Sequence, residues 1–271
     1  MLGGETRGVK RASEFPRYDA PVFVGSRDRR GKVRGVAALL CVLVLANACR
    51  RTPRAAESAV RSAPAGGVAS DARGVRYLAL GDSFTVGTGA SAEQSFPARL
   101  AARWRERGLQ VELRIPARNG FTTQDVLDRE IPDVAAFRPT IVTLAIGAND
   151  IVRGSDATRY RAQVRRIFAA LAAAGVVGRS VVALPQPDWS SSPIAAAFGS
   201  PEDLVARIRA FNDVLREEVS TIGGRYVDLF PLMQRQARAT MVADDGLHPN
   251  ATAYDAWAEE LARLDVPRTA P

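Results

Sequence analysis

The chain has 271 residues, of which 46% are hydrophobic and 24% are charged, a balance typical of a globular protein with one sizeable core. Its formal net charge is +8, but residues 1–49 hold nine Lys and Arg against four Asp and Glu. Residues 50–271 hold 28 Lys and Arg against 25 Asp and Glu. Their arginines alternate with acidic residues, as on solvated helix faces, so no nucleic-acid partner is expected.

The first 49 residues have the organisation of a secretory signal peptide. Five basic residues from Arg27 to Arg34 precede a 12-residue apolar run, Gly35 to Ala46, which ends in small residues. At about 1.5 Å per residue, this run is too short to span a hydrocarbon core of about 30 Å unaided. We therefore expect an exported protein rather than a membrane-spanning one, although an uncleaved anchor is a further interpretation.

Two cleavage sites compete at the end of this segment. Ala46-Asn47-Ala48 fits ordinary signal cleavage, whereas Leu45 to Cys49 resembles a bacterial lipobox, in which Cys49 becomes the lipidated first residue. We favour the lipoprotein because a cysteine rarely falls there by chance, although Leu45 is one place further from the cysteine than usual and Arg50 disfavours export. The prediction is a cell-envelope lipoprotein with a membrane anchor at Cys49, or else a periplasmic or secreted protein.

Residues 50–74 are mainly Ala, Ser, Gly, Pro and Arg and predict a flexible tether, followed by a folded domain over 75–266 and a tail over 267–271. Short apolar runs predict strands at Arg76–Leu80, Gln110–Ile115, Thr140–Ile146, Ser180–Leu184 and Arg225–Leu229. Amphipathic runs predict helices at Ser95–Arg107, Thr122–Ala136, Ala157–Ala174, Pro201–Thr221 and Thr252–Leu264. Five such units predict an α/β domain with a parallel sheet, and its ligand site lies outside the carboxyl ends of the strands.

Polar residues follow the predicted strands where that site is expected. Ser83 comes after the first strand, Gly120 after the second and Asn149 after the third, while His248, the only histidine, follows the fifth strand and its loop. A serine nucleophile needs a base, and the base needs an orienting acid; Ser83, His248 and Asp245 can fill these roles. Backbone N–H groups of Ser83 and Gly120 and the Asn149 amide are suitable donors for an oxyanion.

Each residue alone has a simpler explanation. Gly-Asp-Ser can begin a helix, Asn149-Asp150 can cap one, Asn119-Gly120 can form a turn, and His248 can be a partly buried histidine. Their occurrence together at successive strand ends favours catalysis. Thr85 excludes the G-x-S-x-G elbow of α/β-hydrolases, and one histidine without domain cysteines argues against a metal site. No cofactor is expected.

These segments resemble the GDSL/SGNH hydrolase family, whose Ser, Gly, Asn and His markers match Ser83, Gly120, Asn149 and His248 over about residues 75–264. The resemblance implies a flavodoxin-like three-layer α/β/α sandwich with a five-stranded parallel sheet, the SGNH hydrolase fold, over the domain 75–266. It also implies that Asp245, three residues before the histidine, completes a triad, with the adjacent Asp244 as a competitor. Phe84 stands where the family usually has leucine.

The resemblance implies a serine esterase with a small-molecule ester as its partner, similar to the lysophospholipase/thioesterase-like branch. Lysophospholipids, short-chain acyl esters and O-acetylated sugars all stay open as substrates. Phe84 and Trp189 are candidates for the pocket, although Trp189 could equally be a packed loop aromatic. Two alternatives are a non-catalytic envelope lipoprotein that binds glycan or lipid, and an acyltransferase on the same fold. No residue pattern indicates an oligomeric state.

Overall fold

The computed structural model describes residues 74–266. The predicted signal peptide with its lipidation candidate Cys49, the tether up to residue 73 and the tail 267–271 lie outside the described residues. These assignments therefore stay predictions. Within the described range, no helix is long and apolar enough to cross a membrane.

The centre of the domain is a parallel sheet of five strands in the order β2-β1-β3-β4-β5. Its strands are β1 (Gly74–Gly81), β2 (Gln110–Arg114), β3 (Ile141–Ala145), β4 (Val181–Ala183) and β5 (Arg225–Tyr226). This order is the flavodoxin-like one, which reverses between β1 and β3. All five residues of β3 are buried, as expected for a strand covered on both faces. The predicted fold class is confirmed.

Helices flank the sheet, with α2 packed on α9 and α6 packed on α7. Their bounds are α1 (Ser83–Val86), α2 (Phe96–Glu106), α3 (Thr123–Asp125), α4 (Ile131–Phe137), α5 (Ala148–Val152), α6 (Ala157–Ala173), α7 (Pro201–Thr221), α8 (Phe230–Arg238) and α9 (Ala251–Ala262). Short 3₁₀ turns cover Ala92–Gln94, Gly178–Ser180 and Pro193–Ala197, and a π-turn, Val126–Glu130, joins α3 to α4.

The predicted single helix Thr122–Ala136 is interrupted. Pro132 has no N–H to donate, and the Ile131 N–H bonds to the carbonyl of Val126, five residues back instead of four. The helix is thus split into α3, the π-turn and α4. Residues 123–137 are nevertheless helical throughout, so the helix prediction is confirmed and only its regular hydrogen bonding differs.

The predicted strand Arg225–Leu229 is shorter than expected, and α8 was not predicted. Asp228 accepts a hydrogen bond of 3.2 Å from the Phe230 N–H, and Pro231 stands in the first turn of α8. Both features begin a helix, so the chain leaves the sheet where the apolar run alone indicated a strand.

Candidate active site

Ser83 lies at the carboxyl end of β1, as the first residue of α1. The helix begins there because the Asp82 carboxylate accepts a hydrogen bond of 3.1 Å from the Phe84 N–H, an N-cap contact. Only 8% of Ser83 is exposed. Because the nucleophile candidate is the first residue of a helix, its N–H is one that the helix itself leaves without a partner.

A continuous chain of hydrogen bonds joins Ser83, His248 and Asp245. The Ser83 Oγ lies 2.9 Å from His248 Nε2, and His248 Nδ1 lies 2.6 Å from Asp245 Oδ2. Asp245, and not its neighbour Asp244, makes this contact. The structure therefore brings the three predicted triad residues together in the order that general-base activation of a serine requires.

The local backbone explains why the acid lies three positions before the histidine. Asp245 Oδ1 accepts the N–H groups of Leu247 and His248, each at 2.9 Å, while its other oxygen meets the imidazole. Burial by itself would raise the pKa of the Asp245 carboxyl, but the hydrogen bonds from His248 and Leu247 outweigh burial and hold that pKa below its usual range. The acid is thus kept ionised beside the imidazole.

The segment that bears the histidine is closed by hydrogen bonds of its own and packs against Gly89. The Ala243 N–H donates to the His248 carbonyl at 2.8 Å, and Val242 and Pro249 form an antiparallel bridge. This segment packs on Gly89, where a Cβ atom would come within 2.8 Å of the Pro249 carbonyl oxygen. Only glycine allows so close an approach, and the approach brings His248 to Ser83.

The three residues predicted to supply oxyanion donors, Ser83, Gly120 and Asn149, line the same pocket. Within residues 74–266, neither the Ser83 N–H nor the Gly120 N–H has an acceptor. Gly120 has a φ of 80°, a left-handed conformation that favours glycine although a Cβ would meet nothing within 4 Å. Asn149 Nδ2 donates to the Phe121 carbonyl at 3.0 Å, which orients the amide and leaves its second N–H available.

The donors are held in place by contacts that sequence reasoning missed. Asp150, next to Asn149, is buried and accepts the Thr123 N–H at 2.9 Å and the Thr123 hydroxyl at 2.5 Å. Gln186, three residues after the end of β4, accepts the Ala148 N–H at 2.9 Å. These bonds connect α5 to α3 and to the segment that follows β4. The sequence indicated Asp150 only as a possible helix cap and carried no signal for the role of Gln186.

An apolar pocket of about 230 Å³ opens beside Ser83. Its polar lining is Ser83, Asn119, Gly120, Asn149 and His248, and its apolar lining is Phe84, Ala148, Val152, Trp189, Ile194, Phe198 and Leu247. Val152 and Ile194 are 39% and 51% exposed, so apolar surface continues from the pocket to solvent.

Both predicted pocket aromatics line this space. Phe84 also packs against the imidazole of His248, with ring centroids 5.3 Å apart. Trp189 is 5% exposed and meets Phe198 edge to face at 5.9 Å, so it is at once a packed aromatic and a pocket wall. The part of the chain that the structure describes contains no cluster of His, Cys, Asp or Glu that could hold a metal ion.

Comparison with known proteins places this geometry in a family. The model of the GDSL-like lipase/acylhydrolase family matches residues 79–256, from β1 to α9. The chain is also 25% identical over 189 residues to thioesterase 1/protease 1/lysophospholipase L1 of Escherichia coli K12. That match covers 69% of this chain and 81% of the relative.

Solved structures show the same fold at lower identity. LAE5, an enzyme from the metagenome of Lake Arreo, has a TM-score of 0.58 at 22% identity, covering 70% of this chain and 94% of its own. Axe2, an acetylxylan esterase from Geobacillus stearothermophilus, has a TM-score of 0.57 at 18% identity, covering 73% and 98%. The esterase EstA from a Pseudoalteromonas species has a TM-score of 0.55 at 18% identity, covering 69% and 93%. The chain therefore belongs to the GDSL-like lipase/acylhydrolase family and is a hydrolase that acts on ester bonds.

Proposed function

We propose that the protein is an exported serine esterase that cleaves carboxylic esters with an apolar acyl group, through an acyl-enzyme on Ser83. The observation that supports this most directly is the hydrogen-bond chain from Asp245 through His248 to Ser83, which ends beside an apolar pocket. A serine, a base and an orienting acid in this order activate a hydroxyl for attack on a carbonyl carbon.

In the first half of the reaction, the Ser83 Oγ attacks the ester carbonyl while His248 Nε2 takes its proton. Asp245 keeps the other imidazole N–H oriented and stabilises the positive charge that the ring gains. The negative charge on the former carbonyl oxygen is met by the N–H groups of Ser83 and Gly120 and the Asn149 amide. Collapse of this intermediate breaks the ester bond, and His248 returns the proton to the leaving alcohol.

In the second half, water replaces the alcohol. His248 Nε2 accepts a proton from the water, whose oxygen attacks the acyl carbon bound to Ser83, and the same three donors hold the second oxyanion. Collapse breaks the bond between the acyl carbon and the Ser83 Oγ, His248 returns the proton to that oxygen, and a carboxylic acid is released. An acyltransferase would use an acceptor other than water at this step, so product analysis distinguishes the two.

The pocket supports an apolar acyl group over a sugar. Its walls are mostly aliphatic and aromatic side chains, and of the polar residues that line it only Asn119 has no assigned part in the reaction. Short-chain acyl esters and lysophospholipids both present such a group, whereas the acetyl group of an O-acetylated sugar would leave most of the apolar wall uncovered. A panel of esters that differ in acyl length and in alcohol tests this preference.

The export part of the proposal rests on the basic segment Arg27–Arg34, the apolar run after it and Cys49. A lipid on Cys49 would hold the esterase at a membrane by a tether of about 25 residues. An enzyme placed in this way meets lipid esters at the membrane surface.

The first test replaces Ser83 with alanine. Ser83→Ala should abolish turnover of p-nitrophenyl butyrate and labelling by a fluorophosphonate probe, because both require the Ser83 Oγ. Ser95→Ala, which alters another buried serine away from the pocket, is the matched control and should keep both. Wild-type turnover in Ser83→Ala, or a wild-type protein that never reacts with the probe, would favour the binding lipoprotein instead.

A second test concerns the oxyanion donors. Asn149→Ala should lower kcat by about 10²–10³-fold with little change in KM, because the amide interacts more strongly with the oxyanion than with the ground-state carbonyl. Steady-state kinetics with p-nitrophenyl butyrate measures both constants. A rise in KM at unchanged kcat would assign Asn149 to substrate binding rather than to the transition state.

A further inference from the structure

Glu130 is a buried carboxyl that no step of the proposed reaction uses. It is the last residue of the π-turn between α3 and α4, and its exposed fraction is zero. Its Oε2 accepts a hydrogen bond of 3.0 Å from the Gly81 N–H, two residues before Ser83. A π-turn displaces side chains from their normal helical positions and is frequent at functional sites. Glu130 thus reaches the backbone that carries the nucleophile from a position 49 residues away in sequence.

A second buried acid, Asp82, lies between Gly81 and Ser83 in the turn that carries the nucleophile. Asp82 has no exposed area, and one of its oxygens accepts the Phe84 N–H. The other oxygen of Asp82 and the Oε1 of Glu130 have no hydrogen-bond partner among the described residues, and neither acid forms an ion pair there. Burial raises the pKa of Asp82 to about 7, and burial together with the Asp82 charge raises that of Glu130 to about 8.

The groups that face this pair are mostly acidic. Asp125 on α3 and Asp133 on α4 act on Glu130, and Asp150 on α5 acts on Asp82. The packed helices α6 and α9 bring the hydroxyls of Tyr160 and Tyr254 under the influence of Asp82. The nearby Arg129 forms its ion pair with Asp125 at 3.4 Å instead of with Glu130. Two ionised carboxylates without a compensating cation are strongly disfavoured in such a place.

We propose that Glu130 is a positioning residue for the nucleophile, and that it holds the Gly81–Ser83 turn as the protonated acid. The neutral carboxyl still accepts the Gly81 N–H, and its O–H becomes a donor where the ionised form has only acceptors. The pair of Glu130 and Asp82 then carries at most one negative charge. Ionisation of Glu130 adds a second one, which opposes the negative charge that develops on the substrate oxygen in the transition state.

The direction of the pH dependence follows from linkage. Folding raises the pKa of Glu130 from its ordinary value of 4.5 to about 8, so the folded protein keeps a proton that the unfolded chain releases. The stability that Glu130 contributes is therefore complete below about pH 4.5 and is lost as the pH rises through about 8. Turnover should decline as the pH rises through about 8, where Glu130 loses its proton.

The experiment compares the wild type with Glu130→Gln and Glu130→Leu in turnover of p-nitrophenyl butyrate between about pH 6 and pH 10. Glu130→Gln keeps the acceptor for the Gly81 N–H and cannot ionise. Its kcat should therefore stay within about twofold of wild type at pH 7 and should not decline at alkaline pH as the wild-type kcat does. Leucine removes the acceptor, so kcat should fall by about tenfold or more at unchanged KM. Relative to wild type, the thermal midpoint of Glu130→Gln should be higher at alkaline pH than at pH 6.

Glu218→Gln is the matched control, since this buried glutamate is compensated by Arg161 and Arg165 at 2.6 and 2.8 Å. Glu218→Gln should lower the thermal midpoint without shifting the pH at which kcat declines. If Glu130→Gln loses turnover at neutral pH as Glu130→Leu does, the ionised form is required and the proposal is wrong. Superimposed pH profiles of wild type and Glu130→Gln would also overturn it.

This inference rests on the proposed function, but the two fail in different ways. A wild-type protein with no ester turnover would contradict the esterase proposal, whereas the pH dependence of the thermal midpoint would still test the proton on Glu130. If Glu130→Leu does not fold, Glu130→Gln alone decides the question.

Discussion

The orienting acid illustrates what single residues contribute to this site. Sequence alone offered Asp244 and Asp245, and only the spacing to the histidine favoured the second. The structure gives a physical reason for that spacing, because one Asp245 oxygen accepts the N–H of His248 while the other meets the imidazole at 2.6 Å. The same carboxylate therefore shapes the backbone turn and fixes the tautomer of the ring.

Asp245→Ala should retain more turnover than His248→Ala, because an imidazole without its acid can still accept the serine proton, whereas no other side chain replaces the imidazole. Asp244→Ala is the matched control and should stay within about twofold of wild type. Steady-state turnover of p-nitrophenyl butyrate by the three variants ranks them. A larger loss in Asp244→Ala than in Asp245→Ala would reverse the assignment of the acid.

The strand-end pattern predicted Ser83, Gly120, Asn149, His248 and Asp245, because the carboxyl ends of parallel strands meet at one edge of a sheet. Residues that act through the tertiary structure were not predictable in this way. Glu130 contacts Gly81 from a π-turn, within a stretch that the apolar periodicity predicted as a regular helix. Gln186 and Asp150 form bonds across elements that no spacing in the sequence encodes.

At the level of elements, α5 connects the reaction to the pocket. It carries Asn149 at one end and the pocket residue Val152 at the other. Arg207 on α7 donates to the Ile151 carbonyl at 2.6 Å and to the Phe198 carbonyl at 3.4 Å. One guanidinium therefore joins α5 to the segment that supplies a second wall of the pocket.

Removal of this link should change the selectivity for acyl length. Arg207→Met should lower kcat/KM for p-nitrophenyl octanoate by about tenfold, the value of a hydrogen bond to a charged group, because the two walls are no longer held together. Turnover of p-nitrophenyl acetate, which needs little of the pocket, should change by less than about twofold.

Arg209→Met is the control for the Arg207 variant, because Arg209 is on the same helix but packs over the ring of Phe230. It should leave the ratio between octanoate and acetate unchanged. An equal loss on both esters in Arg207→Met would show that Arg207 supports the fold in general and not the pocket.

At the level of the whole molecule, the basic charge and the catalytic residues are separated along the chain. Residues 1–49 contribute most of the net charge of +8, whereas every residue assigned to the reaction lies between positions 83 and 248. A basic segment before an apolar run is typical of an export signal. The proposed reaction uses no residue of either segment. Under the export proposal, residues 1–49 determine the location of the enzyme, and their replacement should leave the turnover of the domain unchanged.

The proposed lipid anchor can be tested with the two cysteines of the chain. In a bacterial host, the full chain should incorporate labelled palmitate and sediment with membranes, and Cys49→Ser should do neither, because the lipobox reading requires the thiol of Cys49. Cys41→Ser, which alters the cysteine inside the apolar run, should behave as wild type. Esterase activity per molecule should be equal in all three, since the site is unchanged. A wild-type protein found soluble, unlabelled and cleaved after Ala48 would instead indicate ordinary signal cleavage and a periplasmic or secreted enzyme.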